Sequence, residues 1–150
     1  MKFLMIYPNT TGASRVPLGI VYLLTILREQ GHSVKLFDMT FYGVNVNNNY
    51  VDVRSKNLNF KGIDLTPYGV IYKKSSMEYV KKDLLEDIEK FKPNVIGVTI
   101  SEETSPTGFM LATLLKKKYP KIKIVFGGVF CIANPEGCLL YTSPSPRDRS

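Results

Sequence analysis

The chain has 150 residues, 44% hydrophobic and 22% charged, which supports one domain around a single core and excludes disorder over the whole length. Its formal charge of +7 is spread over separate lysine groups (Lys73 and Lys74, Lys81 and Lys82, Lys116 to Lys118) that border helical patterns without stacking aromatics, so solvated helix surface is expected rather than nucleic-acid contact. The opening apolar run from Met1 to Tyr7 is too short for a signal peptide or a membrane span, and Cys131 and Cys138 match no zinc, cluster or disulfide framework; a cytoplasmic protein with no membrane contact is expected.

Lys2 to Tyr7 reads as a first strand, followed from Pro8 to Pro17 by a loop rich in Asn, Thr, Gly and Ser. Leu18, Val21, Leu24 and Leu27 then recur at helical spacing, with Ile20, Leu23 and Ile26 beside them and Gly31 as the stop. Val34, Leu36 and Phe37 make a second strand ending at Asp38, which completes a strand-helix-strand unit of right-handed crossover. Residues 40–76 carry no clear period, and a loop of this length has a function or folds against a neighbour. Met77, Val80, Leu84, Ile88 and Phe91 form an apolar stripe opposite Lys81, Lys82, Asp83, Glu86 and Lys90, the mark of a second helix ended by Pro93. Val95 to Ile100 is a third strand, Thr107 to Lys118 a third helix closed by Pro120, and Ile122 to Phe126 a fourth strand.

Strands alternating with helices imply an α/β fold of the flavodoxin-like or Rossmann type, a parallel sheet ordered two-one-three-four with helices on both faces and the fourth strand at an open edge. In that order the loops after strands one and three diverge and leave a crevice where ligands bind. Three segments face it: Asn9, Thr10, Thr11 and Gly12; Thr99 to Thr104, including Ser101 and Glu102; and Gly127, Gly128 and Val129, running on to Phe130. Adjacent glycines let a backbone turn tightly and let a flat ligand approach, although a Gly-Gly pair alone is more often a plain turn.

From Cys138 the composition turns to Pro, Ser and Arg, and Cys138 to Asp148 resembles the translation of a transposase adapter used in preparing sequencing libraries. A domain over residues 1–137, incomplete at its carboxyl end after about four strands, and a non-native tail over 138–150 that packs against nothing are therefore expected.

Four runs, Pro17-Leu18-Gly19-Ile20-Val21-Tyr22-Leu23, Gly31-His32-Ser33-Val34, Lys92-Pro93-Asn94-Val95-Ile96-Gly97-Val98-Thr99 and Phe126-Gly127-Gly128-Val129-Phe130, together resemble the cobalamin-binding domain of radical S-adenosylmethionine enzymes. The resemblance covers Met1 to Gly137 and implies cobalamin as cofactor. In such domains a Ser or Thr closing the third strand and a Gly-Gly after the fourth contact the nucleotide tail and the lower corrin face; Thr99, Ser101, Gly127 and Gly128 match, with 25 residues between Ser101 and Gly127. The Asp-x-His-x-x-Gly motif that supplies an axial histidine elsewhere is absent from Asn9-Thr10-Thr11-Gly12. The only histidine, His32, precedes strand two and lies a strand length, about 20 Å, from the crevice. Binding without axial histidine is thus implied, as in radical S-adenosylmethionine relatives of methyltransferase or cyclase type.

In those relatives a following barrel domain holds a 4Fe-4S cluster through Cys-x-x-x-Cys-x-x-Cys and uses S-adenosylmethionine. The motif does not occur in this chain, so a catalytic site would lie in a downstream barrel of the same parent, the expected partner. The rival expectations are the amino-terminal half of a two-domain glycosyltransferase, which leaves Thr99, Ser101 and the glycine pair without shared purpose, and a non-catalytic cobalamin carrier or sensor. A nicotinamide site needs more glycines than Gly12 in the first loop despite Asp38, and a phospho-receiver needs an aspartate where Thr99, Ile100 and Ser101 stand.

Overall fold

The computed structural model describes residues 1–10, 17–42 and 76–139. Its element order is β1 (Lys2–Tyr7), α1 (Leu18–Glu29), β2 (Ser33–Asp38), a 3-10 turn (Thr40–Tyr42), α2 (Met77–Phe91), β3 (Val95–Thr99), α3 (Ser105–Lys118), β4 (Lys123–Gly127), α4 (Val129–Ala133) and α5 (Pro135–Leu139). The four strands are all parallel and ordered β2-β1-β3-β4, the expected flavodoxin-like arrangement with β4 at the edge among the described residues.

Side chains alternate across a strand, so each strand serves both faces. On one face Leu4, Ile6, Ile96, Val98, Ile124 and Phe126 pack against Val80, Leu84 and Ile88 of α2 and Leu111 and Leu115 of α3 in a single core. The stripe read from residues 77–91 is the buried side of α2, whose Ser76 cap accepts a hydrogen bond from the Tyr79 N–H. Among the described residues the other face is covered only in part: Met5 packs with Ile20 and Leu24 of α1, flanked by Phe3, Tyr7, Leu27, Val34 and Leu36. Helix α1 is apolar nearly all round, and packing chooses Ile20 and Leu24, leaving Leu18, Val21 and Tyr22 exposed.

Helix α3 begins two residues earlier than the apolar pattern indicates, since Pro106 fits the first turn, where an amide hydrogen has no helical partner to lose. Past β4, where the sequence pattern names no element, the chain forms two short helices. Cys138, the first residue of the expected tail, is buried in α5 with its thiol 3.1 Å from that of Cys131, so the tail does not start free of the fold. Residues 140–150, the bulk of that tail, lie outside the described residues, as do 43–75 of the patternless segment.

Candidate functional site

Between β1 and β3 the chain reverses the side on which it adds strands, and a pocket of about 510 Å³ opens there. Its mouth is made by Asn9 after β1, by Thr99, Ser101, Glu103 and Thr104 at the end of β3, and by Gly127, Gly128 and Val129 after β4. It continues down the sheet face that α1 leaves bare, over Phe3, Met5, Gly97 and Val125, with Ile20 and Leu23 of α1 as one wall. The size suits a small-molecule group, and polar groups gathered at one end of an apolar cleft are what orient a ligand. A wider hollow of about 620 Å³ between α2 and α3 is rimmed by Lys81, Lys82, Glu86 and Glu89 and lies on the far face from these strand ends.

The two glycines have separate roles. Gly128 has φ 101°, and a β-carbon on it would stand 2.4 Å from the Ile100 carbonyl oxygen, so only glycine makes this turn without displacing the backbone. The turn is tied to β3: the Ile100 N–H donates to the Gly127 oxygen at 2.8 Å and the Phe130 N–H to the Ile100 oxygen at 3.3 Å. Gly127, in contrast, has nothing within 4 Å of where its β-carbon would be, which leaves open space at the pocket mouth. A side chain there would fill the space that a ligand needs.

At the end of β3 the Ser101 N–H donates to the Thr104 hydroxyl at 2.9 Å, with the two hydroxyls 3.2 Å apart. This local bond fixes the turn into α3 and holds both hydroxyls at the pocket. Asn9 is buried and its amide donates to the Thr40 hydroxyl at 3.0 Å, so its side chain fastens the β1 loop to the end of β2 while lining the pocket. Asp38, the acid at the end of β2, accepts the Thr40 N–H at 2.9 Å, which braces its own turn, and it does not line the pocket.

Of the residues expected at the site, Asn9, Thr99, Ser101, Gly127, Gly128 and Val129 line the pocket together. Thr10 and Glu102 do not line it; the Glu102 side chain is exposed, and its carbonyl accepts the Ser105 hydroxyl. Thr11 and Gly12 lie outside the described residues. Glu103 and Thr104, which also line the pocket, belong to the segment Thr99 to Thr104 expected at the crevice, whereas the sheet-face floor was not legible as part of the site. The period-two pattern marks Phe3, Met5, Gly97 and Val125 as face residues without saying that, among the described residues, no helix covers them fully. His32 sits at the opposite end of the strands, 3.4 Å from the terminal amine through Nδ1. The thiol of Cys131, just beyond the glycine turn, is pushed up to about 12 by burial and then by its bond with Cys138, which makes it a poor nucleophile. Among the described residues no cluster of His, Cys, Asp and Glu suits a metal ion, and no helix is long and apolar enough to cross a membrane.

Comparison with known proteins agrees with this geometry. The model of the B12 binding domain family matches residues 9–144. An uncharacterized methyltransferase, PH0819, of Pyrococcus horikoshii is 23% identical over 143 residues, which cover 91% of this chain and 23% of that protein. The chain therefore spans about a quarter of the length of this relative. No solved structure matches.

Proposed function

This chain belongs to the B12-binding domain family, and on that premise we propose that it is the cobalamin-binding module of a longer methyltransferase-like protein of the radical S-adenosylmethionine class. The observation that carries the reading is the two-part pocket, polar where β1, β3 and β4 end and apolar along the sheet face beside α1. Cobalamin supplies, when bound, a cobalt centre able to carry a methyl or other organic group. Thr99, Ser101 and Thr104 would hold the polar part of its nucleotide tail, the bare Gly127 would let the corrin approach, and the sheet-face floor would take the lower base. Gly128 acts at one remove, by shaping the turn.

The pocket offers no imidazole, and the single histidine of the chain stands at the far end of the sheet, which supports binding without a histidine on cobalt. The finer assignment, a parent with a 4Fe-4S cluster and S-adenosylmethionine in a downstream barrel and a cytoplasmic site of action, rests on the likeness of the four sequence runs and on the methyltransferase name and greater length of the relative. Titration with hydroxocobalamin, followed by gel filtration and corrin absorbance, tests the module itself. Corrinoid should co-elute with the chain, and Gly127→Phe should abolish this while leaving the circular dichroism spectrum unchanged. Undiminished binding by a folded Gly127→Phe variant would contradict the site.

A further inference from the structure

We infer that the pocket selects corrinoids by their lower base, accepting a benzimidazole-type base and disfavouring a purine, with Phe3 as the residue that closes its depth; the inference rests on the placement of the nucleotide tail proposed above. Strand register defines the floor. Met5 pairs with Gly97 and Gly97 with Val125, while Phe3 pairs with Val95 one step nearer the strand starts and Thr99 with Gly127 one step nearer the ends. Main-chain N–H and C=O groups of a sheet lie in its plane and are used by neighbouring strands, so a ligand on the face meets side chains only.

Below the level of Thr99 those side chains are, among the described residues, Phe3, Met5, Val125, Ile20 and Leu23, with the Met5 thioether, a weak acceptor, as their single heteroatom. Among the described residues, every hydroxyl, amide and carboxylate of the lining except that of Tyr7 comes from residues beyond the strand bodies or from Thr99 at the end of β3. Gly97 explains the floor. A β-carbon on it would lie 2.7 Å from Phe3 Cζ and 3.1 Å from Met5 Sδ, so the Phe3 ring reclines across the glycine in the volume that a side chain would take. A flat base descending the groove would meet an aromatic ring and a thioether. Both bases carry one free imidazole nitrogen, but a purine would also bring two six-ring nitrogens and an exocyclic amine into that surface, losing water without gaining a partner, where a methylated benzimidazole has only carbon.

The test is equilibrium dialysis of the 150-residue chain against three corrinoids: cobalamin, its analogue with adenine as the lower base, and cobinamide, which has no nucleotide. Cobalamin should bind at least about tenfold more tightly than the adenine analogue, and cobinamide more weakly than cobalamin. Equal affinity for the two nucleotide-bearing corrinoids, both above cobinamide, would overturn the selectivity and leave the tail placement standing. Three equal affinities would overturn both. Val125→Gln, at a half-exposed position that tolerates a polar chain, should narrow the gap by offering the purine a partner, and an unchanged gap would count against the floor as its cause. Phe3→Leu keeps an apolar side chain but removes the ring, and should weaken cobalamin roughly threefold to tenfold with cobinamide unaffected. Equal weakening of both would remove Phe3 from the account.

Discussion

The two faces of the sheet are built from alternate residues of the same strands and have opposite fates. Leu4, Ile6, Ile96, Val98 and Ile124 on one face are each at most 1% exposed beneath α2 and α3, while on the other Val125 is 50% exposed and Gly127 has open space where a side chain would stand. One face is buried as a core, and the other keeps a groove. Stability and binding are thereby separated on a single strand: Ile124 and Phe126 hold the domain together, and Val125 and Gly127 between and beside them remain available to a ligand.

The contrast can be broken most forcefully on the closed face. Leu84→Ala should cost about 2–5 kcal/mol in urea unfolding, the usual loss for a fully buried leucine, whereas Val125→Ala on the open face should stay within about 0.5 kcal/mol. Similar costs at the two positions would mean that the groove is not open in solution. The glycine turn sharpens the same point at one strand end: Gly128→Ala should cost about 1–3 kcal/mol through its left-handed backbone and the Ile100 carbonyl. Gly127→Ala should be close to neutral in stability.

Two hydrogen bonds staple the closed face and give it a pH signature. Tyr42 donates to Asp83 at 2.9 Å and Tyr119 to Glu89 at 2.5 Å, each reaching α2 from another element. Burial, then the carboxylate partner, raises both phenols, Tyr119 to about 12 and Tyr42 beyond the ordinary range. Because the folded state holds these protons more tightly than the unfolded one, their contribution is complete below pH 10 and is lost as pH rises from there through about 12. Unfolding midpoints should therefore fall over that range, and the fall should be shallower in Tyr42→Phe and Tyr119→Phe. A smaller effect is expected at Lys92, which ends α2 with φ 53°: Lys92→Gly should add less than about 1 kcal/mol, the left-handed penalty of a β-carbon offset in part by the freedom of glycine when unfolded.

Sequence periodicity carried the closed face well. The stripe Met77, Val80, Leu84, Ile88 and Phe91 and the apolar strand residues state which surfaces must meet, and the parallel order follows from their alternation with helices. It carried half of the site. Thr99, Ser101 and the glycine pair stand at strand ends where the fold type puts ligands, but the groove floor depends on which described elements cover the sheet, and coverage is a tertiary property with no local period. Helix α1 shows the same limit: with apolar residues on nearly every side, its sequence cannot say that Ile20 and Leu24 pack inward while Leu18 and Tyr22 face out. Likewise the stretch after β4 has too few residues per turn of pattern to announce α4 and α5, and Cys138 looks like the start of a tail until its burial is seen.

Electron paramagnetic resonance of cob(II)alamin bound to the chain tests the central claim most directly, because an axial nitrogen on cobalt splits the cobalt lines further. With the lower base drawn into the groove and the single histidine at the far end of the sheet, the bound cofactor should show cobalt hyperfine structure without nitrogen splitting, identical in His32→Ala. Nitrogen splitting in the bound state would place either the base or an imidazole on the metal and would contradict the account.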